Sequence, residues 1–349
     1  MVQFYLKGKV EIQLNNMSIS RKYIYQYQLW RFLDHIFGNE APSNKFRSQR
    51  NDLISRLNND LSVLKKLPRT VQVDRVKNIS DKDIKERYIN RGIPVVLEGR
   101  GSDWDACGKW SPQWLLQNFN KDKLSFFDAS LDDNTNLTYD VTDGSIQELI
   151  NAMKKGDTNV YSRFNRILYD HPNLLNDFDW RWLYKMRSIF SSGKTFQVFI
   201  GGKGTRTTLH CASENNLFTQ VYGEKHWYLY PPENDIVFNP PITRSPYFYS
   251  EFDPEKPDFL KFKNAKYIDK WECILKPGDI LYNPPSWWHH VTNMSDSIGV
   301  GFRWFNLVDS FKMNFMHTLL TFISTNPSIL YATKNRTNFA KIFKKMGES

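Results

Sequence analysis

The sequence has few cysteines and no long apolar run. Its three cysteines, Cys107, Cys211 and Cys273, lie far apart, without the paired spacing of a disulfide framework or of a cysteine zinc site. No apolar run approaches the ~20 residues that a membrane helix needs, and residues 1–20 contain no basic segment followed by an apolar one. We therefore expect an intracellular protein, cytoplasmic or nuclear, without a membrane span.

The composition is that of a globular protein with a mildly basic surface. Of the 349 residues, 40% are hydrophobic and 15% are aromatic, which is enough to bury a sizeable core. The 47 basic and 37 acidic residues give a net charge of +10, but the excess is dispersed along the chain. A dispersed excess favours a solvated surface over a nucleic-acid interface, so no nucleic-acid partner is predicted.

Periodicity divides the chain into three regions. Residues 1–70 combine a short strand-like start with helical patterns and predict a helical extension. Residues 71–306 alternate strands and helices and then, from about 194, become a series of short β-runs: "KTFQVFIGG", "LFTQVYG", "HWYLYPP", "WECILKPGD", "ILYNPP" and "SIGVGFRWF". Such runs, separated by turn residues, predict a sandwich or barrel. Residues 307–349 return to a helical period, with a last helix reaching about residue 345.

Three apolar stripes at helical spacing mark surfaces that we expect to be covered. They consist of Tyr25, Leu29, Phe32, Leu33 and Ile36; of Leu53, Leu57, Leu61 and Leu64; and of Val308, Phe311, Phe315, Leu319 and Ile323. The first two predict N-terminal helices packed on the main body. The third would pack on those helices or, as we favour, form a homodimer interface through the C-terminal helices.

Two of the seven histidines occur in β-segments with distinctive surroundings. His210 ends the run "GGKGTRTTLH", and His289 ends the run "PGDILYNPPSWWH" about eighty residues later. Imidazoles from two strands of one barrel can converge on a metal that a third ligand completes. Spacing alone leaves that reading and ordinary structural histidines both open.

The strings around these histidines resemble the JmjC family of cupin-fold oxygenases that depend on Fe(II) and 2-oxoglutarate. The resemblance runs from about residue 72 to 306 and is carried by "GIPVVLEGRGSDWDACGKWSPQWLLQNF", "YDHPNLLNDFDWRWLYKM", "TLHCASENNLFTQVYGEKHWYLYPP" and "KPGDILYNPPSWWHHVTN". Within the family, the likeness is greatest to the branch of the asparaginyl hydroxylase that inhibits hypoxia-inducible factor. It implies a mainly β fold, in which a double-stranded β-helix (jelly-roll) core carries helical N- and C-terminal extensions.

The resemblance also implies roles for individual residues. His210 and His289 match two metal ligands, whereas His290 points the other way along its strand and is expected to be structural. The residues that match contacts of the 2-oxoglutarate cosubstrate are Lys225, Thr207, Asn216 and, by a looser alignment, Tyr161. Trp287 and Trp288 are expected to pack, and Arg303 stands where the asparaginyl hydroxylase has an asparagine, which leaves its role open.

The sequence departs from the family at the third metal ligand. The family pattern is His-x-Asp, whereas this chain has His210-Cys211-Ala212, and a methyl group cannot bind a metal. Glu214, four residues after His210, is an alternative oxygen ligand if the strand continues. An exogenous anion is another, since some related halogenases carry His-x-Ala and bind halide there. Loss of the metal site is the third reading.

We therefore predict an Fe(II)- and 2-oxoglutarate-dependent oxygenase with an atypical metal site, which hydroxylates a protein or peptide side chain. No catalytic residue beyond the metal site is predicted. The alternatives are a catalytically inactive JmjC-like binding module and, less favoured, a halogenase.

Overall fold

A computed structural model of the chain describes residues 19–37, 45–64, 67–128, 141–188, 190–242 and 247–323. The strand-like start and the last helix predicted near residue 345 lie outside these ranges. No helix in the described ranges is long and apolar enough to cross a membrane.

The described residues form two sheets that together make up the core. The strands are β1 (Thr70–Gln72), β2 (Asp74–Val76), β3 (Val95–Leu97), β4 (Lys123–Asp128), β5 (Val141–Ser145), β6 (Val160–Asn165), β7 (Ser192–Gly201), β8 (Arg206–Cys211), β9 (Asn215–Tyr222), β10 (Lys225–Tyr230), β11 (Phe248–Tyr249), β12 (Lys270–Leu275), β13 (Ile280–Asn283), β14 (Trp288–Asn293) and β15 (Ser297–Phe305). One sheet has the order β1-β12-β10-β14-β8-β11, and the other has the order β2-β3-β13-β9-β15-β7-β6-β4-β5. Each predicted β-run overlaps one of these strands, which confirms the mainly β core with flanking helices.

Helices cover the outer faces of both sheets. They are α1 (Arg21–Phe37), α2 (Arg47–Leu64), α3 (Asp81–Arg87), α4 (Asp105–Lys109), α5 (Pro112–Phe119), α6 (Ile146–Lys155), α7 (Ile167–Asp170), α8 (Trp180–Met186), α9 (Asp235–Phe238), α10 (Leu307–Met313) and α11 (Phe315–Phe322), with short 3-10 turns at Ile89–Arg91, Pro172–Asp177, Pro232–Asn234 and Lys263–Tyr267. The side chain of Ser80 accepts a hydrogen bond from the amide of Asp83, and that of Ser111 accepts one from the amide of Trp114. Both caps satisfy amides at a helix start that would otherwise lack a partner.

Three apolar clusters give the molecule its layers. One lies between the two sheets, because it joins Trp227 and Leu229 of one sheet to Phe199 and Phe218 of the other. A second packs helices α3 to α8 on the outside of the nine-stranded sheet. The third packs α1, α2 and α11 on the outside of the six-stranded sheet. Side chains that alternate along a strand therefore face either this interior or a helical layer.

Helix α1 buries a different face from the one that its apolar stripe predicts. Tyr25 and Leu29 are 64% and 48% exposed, whereas the neighbouring Tyr27 and Arg31 are buried. The buried face is held by polar contacts, since Arg31 donates to the carbonyl of Pro240 over 2.6 Å and Tyr27 donates to the Asn239 side chain. The predicted burial of the stripe is wrong for Tyr25, Leu29 and Ile36, which is 42% exposed, because these hydrogen bonds set the rotation of the helix. The α2 stripe is buried as predicted at Leu53, Leu57 and Leu61, but not at Leu64.

The C-terminal stripe is divided between two helices. Asn314 ends α10 and caps α11, accepting a hydrogen bond from the amide of His317. Val308 and Phe315 are 63% and 57% exposed, and Ile323 is 42% exposed. The predicted apolar surface is therefore present, and the described residues leave it largely uncovered.

A turn glycine connects β9 to β10, the strand that begins with Lys225. Gly223 has a φ of +68°, and a Cβ there would lie 1.9 Å from the carbonyl oxygen of Asp296. Gly223→Ala should therefore cost more than the ~1–2 kcal/mol of the left-handed conformation alone, measured as the free energy of unfolding in urea.

Two other glycines provide matched controls for this change. Gly156→Ala carries only the conformational cost, because its φ is +71° and its Cβ would meet open space. Gly108→Ala, within α4 and also in open space, should stabilise the protein by up to ~1 kcal/mol. A Gly223→Ala protein no less stable than Gly156→Ala would contradict the steric account.

Candidate functional site

The register of β8 and β14 brings the two singled-out histidines together. His210 and His289 are direct partners in the antiparallel pairing, and their ring centroids are 4.1 Å apart. Trp227, a residue of the cluster between the sheets, stacks on His289. Both imidazoles therefore face the barrel interior, in the arrangement that a shared metal would need.

Both rings are held in the same tautomer by backbone carbonyls. The Nδ1 atom of His210 lies 2.8 Å from the carbonyl oxygen of Thr208, and that of His289 lies 2.9 Å from the carbonyl oxygen of Trp287. A carbonyl only accepts, so each Nδ1 carries the proton and each Nε2 keeps its lone pair. The side-chain nitrogen of Asn283 also lies 3.2 Å from Nδ1 of His289, so this tautomer requires the Asn283 amide to turn its oxygen, which has no other partner in the described structure, toward the ring. No hydrogen bond among the described residues uses either Nε2 atom.

Burial keeps these histidines neutral. It lowers the pKa of His289 to about 4 and that of His210 well below 6.5. Two protonated imidazoles would also repel each other, and Arg303 adds a further positive charge nearby. A neutral imidazole is the form that binds a metal. The pair is therefore ready to bind a metal at neutral pH.

At the third ligand position of this site, the described residues place no carboxylate directed toward the two histidines. Ala212 is buried and contributes only its methyl group. Glu214 is also buried, and its Oε2 lies 3.8 Å from Nη1 of Arg303. Within the described ranges, Glu214 is not part of a group that places three metal-ligating atoms within 4.8 Å of one another. Its role as a third ligand stays a prediction.

One group of three possible ligands does occur among the described residues, outside the barrel. It consists of Asp253, Glu255 and His290. His290 is paired with Tyr228 of β10 and faces away from the interior. Asp253 already forms an ion pair of 3.0 Å with Arg206, which supplies positive charge where a cation would sit. This cluster is therefore a weaker candidate for a metal site than the pair of His210 and His289.

Lys225 lies at the other end of the interior, fully buried. Its ammonium donates to the side-chain oxygen of Asn293 and lies 3.5 Å from the hydroxyl of Tyr161, which is close to the side chain of Thr207. No carboxylate of the described chain lies within ion-pair distance of it. Burial without a counter-ion lowers the pKa of Lys225 to about 7. An anion is therefore the missing partner.

A β-bulge allows the side chains of Thr207 and His210 to point into the same interior. The register changes between the pairs His289–His210 and Val291–Thr207, so three steps on β8 match two on β14. Regular alternation would place two residues three apart on opposite faces. Four of the predicted site residues thus line one interior, namely Thr207, His210, Lys225 and His289.

Two polar side chains complete this interior. Asn216 is buried on β9, and its Oδ1 has no hydrogen-bond partner in the described structure. Asn293 was not predicted from the sequence, because only the pairing of β10 with β14 places it opposite Lys225. Trp287 and Trp288 are buried and pack as expected, with Trp288 donating to Asp235.

Comparison with known proteins gives this geometry a family context. A family model described as "Cupin-like domain" matches residues 81–311. The chain is 27% identical over 274 residues to the arginine-specific demethylase JMJ20 of Arabidopsis thaliana, covering 67% of this chain and 57% of that protein. It is 29% identical over 274 residues to the lysine-specific demethylase JMJ30 of the same plant, covering 72% and 60%. It is 26% identical over 243 residues to the JmjC domain-containing protein D of Dictyostelium discoideum, covering 62% and 53%.

The chain thus spans between 53% and 60% of the length of these three relatives. The narrower likeness to the branch of the asparaginyl hydroxylase stays a prediction.

The lowered pKa of Lys225 predicts how stability depends on pH. The folded-state pKa of about 7 lies below the ~10.4 of an unfolded lysine, so the unfolded chain binds more protons between these values. In metal-free and anion-free buffer, Lys225 should make stability rise with pH from about 7 to 10, by at most ~1.4 kcal/mol per pH unit. Lys225→Met should remove this slope and stabilise the protein at pH 7, measured by urea unfolding across the range.

The exposed Lys276→Met is the matched control and should keep the slope of the natural protein. If the free energy of unfolding depends on pH in the same way in Lys225→Met and in the natural protein, Lys225 is not a buried amine without a counter-ion.

Proposed function

The chain belongs to the cupin-like JmjC domain family, and on that premise we propose that its barrel interior is an atypical Fe(II)- and 2-oxoglutarate-dependent oxygenase centre. In this proposal His210 and His289 hold the metal through their Nε2 atoms. The single observation that supports it is the pair of backbone carbonyls that fixes both rings with Nδ1 protonated. Such contacts orient metal-binding histidines and fix their tautomer.

The residues present fit a divalent transition metal as a two-histidine set. Two neutral imidazoles suit such a metal, and the absent carboxylate leaves one more position for an exogenous ligand than the two-histidine, one-carboxylate triad does. We propose that water or a small anion takes this position, with Glu214 as the alternative. Glu214 is less favoured because its carboxylate lies beside the guanidinium of Arg303.

The buried ammonium of Lys225 fits the distal carboxylate of 2-oxoglutarate. An ammonium in a dry pocket pairs strongly with a carboxylate, and Tyr161 and Thr207 add hydroxyl groups at the same end. Asn216 would contact the cosubstrate from β9. The proposed roles of these residues are to bind and orient the cosubstrate and to exclude water.

Bound iron would supply oxygen activation and the oxidation of a C–H bond, with 2-oxoglutarate as the electron donor. The names of two relatives specify arginine and lysine, which are protein side chains. We therefore propose hydroxylation of a protein or peptide side chain as the reaction.

A non-catalytic binding module is the second candidate. The observation that favours it is the combination of Ala212 with an arginine–glutamate pair, which leaves no protein carboxylate free in the described interior. Any weakly bound iron would then have no catalytic role. The barrel would bind a ligand or a partner and catalyse no reaction.

Anaerobic titration with Fe(II) and 2-oxoglutarate distinguishes these candidates. The natural protein should develop a weak visible charge-transfer band, because this absorption requires Fe(II) and 2-oxoglutarate to be bound together at the site. His289→Ala should abolish the band. His290→Ala, its neighbour on the outer face, should preserve it. No band in the natural protein would reject the oxygenase and leave the binding module.

Three further measurements in the same titration identify the third ligand. Ala212→Asp should raise Fe(II) affinity by roughly 10- to 100-fold or more, since it restores a direct anionic ligand. Glu214→Ala should leave the band in place, whereas loss of iron would show that Glu214 is the ligand. A band that requires chloride in the natural protein but not in Ala212→Asp would identify halide as the exogenous ligand.

We also propose that the exposed C-terminal surface forms a homodimer. Val308 and Phe315 lie 63% and 57% exposed on α10 and α11, where association would remove them from water. The protein should sediment as a dimer at tens of micromolar, and Val308→Asp with Phe315→Asp should yield monomers. Val63→Asp, at a residue 79% exposed on α2, should leave the dimer intact. A monomeric natural protein would reject the dimer.

A further inference from the structure

Arg303 is a buried guanidinium that makes no hydrogen bond with the residues that the structure describes. It lies on β15, its side chain is 8% exposed, and its Nε is buried without a partner among the described residues. The nearest carboxylate, that of Glu214, stands 3.8 Å from Nη1, beyond hydrogen-bond distance. A guanidinium carries five donors, and leaving buried donors unused is costly. Glu214 therefore offsets charge but leaves the donors of Arg303 available to an acceptor.

The strand geometry places Arg303 on the same interior face as Lys225. Positions 299, 301 and 303 alternate onto one side of β15. At Gly299, an added Cβ would lie 3.3 Å from Cε of Lys225, so this face looks into the interior. Arg303 follows four residues later, about 13 Å along the strand. Arg303 pairs with Asn216 of β9, which pairs in turn with Asn283 of β13. The side chain of Asn283 lies 3.2 Å from Nδ1 of His289, so Arg303 lies toward the histidine end.

Glycines keep the strand between these two cations free of side chains. A Cβ at Gly299 would approach Cζ of Phe218 to 2.3 Å, and one at Gly301 would approach Oδ1 of Asn216 to 2.9 Å. Asn216 thus stands between the two ends, and it makes no hydrogen bond through its buried Oδ1 in the described structure. The interior therefore has a cation at each end and an amide between them.

We propose that Arg303 is a second anion subsite, which binds one carboxylate of a short dicarboxylate while Lys225 binds the other, without any metal. The Lys225 end rests on the proposed function, whereas the Arg303 end and the independence from metal do not. Charge-assisted hydrogen bonds from a guanidinium to a carboxylate suit this role, because the fork of donors matches the two oxygens. Ala212 assists the binding of a carboxylate because its methyl group carries no negative charge that would repel the anion.

Calorimetric titration of the metal-stripped protein, in EDTA, tests this assignment. Succinate is the probe because it has two carboxylates and lacks the keto group with which 2-oxoglutarate chelates iron. The natural protein should bind succinate at least ~10-fold more tightly than butyrate, which has one carboxylate. Arg303→Gln should weaken succinate binding by about 10- to 100-fold and leave butyrate binding nearly unchanged.

Arg206→Gln is the matched control, because Arg206 lies outside the barrel in an ion pair with Asp253. It should bind succinate as the natural protein does. Arg303→Lys, which keeps the charge, should recover part of the affinity, and its recovery shows that loss in Arg303→Gln is not misfolding. Thermal melting of both Arg303 variants checks the fold directly.

The outcomes separate this proposal from the oxygenase proposal. Succinate bound by metal-free natural protein and lost in Arg303→Gln supports the second subsite even if no iron ever binds. Equal succinate affinity in Arg303→Gln and natural protein, or no succinate binding without metal, overturns it, whatever the charge-transfer band shows.

Discussion

The register between β8 and β14 is the constraint on which the site depends. It sets His210 opposite His289, and the bulge beside this pair turns Thr207 inward as well. The same strand, β14, carries Asn293 to the ammonium of Lys225 through its pairing with β10. A slip of one residue would turn the histidines outward, toward the helical layer, and remove both ends of the site together.

The interior is unusual in its charge. A site with two histidines and a carboxylate carries a fixed negative charge beside its metal, whereas Ala212 leaves none here. Arg303 and Lys225 instead make the interior cationic, with Glu214 as a nearby carboxylate. Small anions are therefore favoured in two places, as a metal ligand and as a partner of the buried cations. The exogenous metal ligand and the second anion subsite at Arg303 are both proposed because the interior has more positive than negative side chains.

The sequence predicts the elements of this protein better than their contacts. Each predicted β-run overlaps a strand because turn residues separate short apolar segments, and His210 and His289 could be selected from their strings. The contact between Lys225 and Asn293 could not be predicted, since it depends on register, and neither could the bulge between Thr207 and His210. Helix α1 shows a different limit: hydrogen bonds from Tyr27 and Arg31 to residues 239 and 240 outweigh the apolar periodicity of the helix.

Crystallography of the protein soaked with Co(II) at neutral pH tests whether His210 and His289 hold a metal in the barrel. Cobalt(II) is a stable substitute for iron, and its anomalous signal locates the ion. We expect one ion in the barrel, about 2.1 Å from the Nε2 atoms of His210 and His289, with an exogenous ligand where the carboxylate is missing. An ion bound instead by Asp253, Glu255 and His290, or no ion in the barrel, would contradict this expectation.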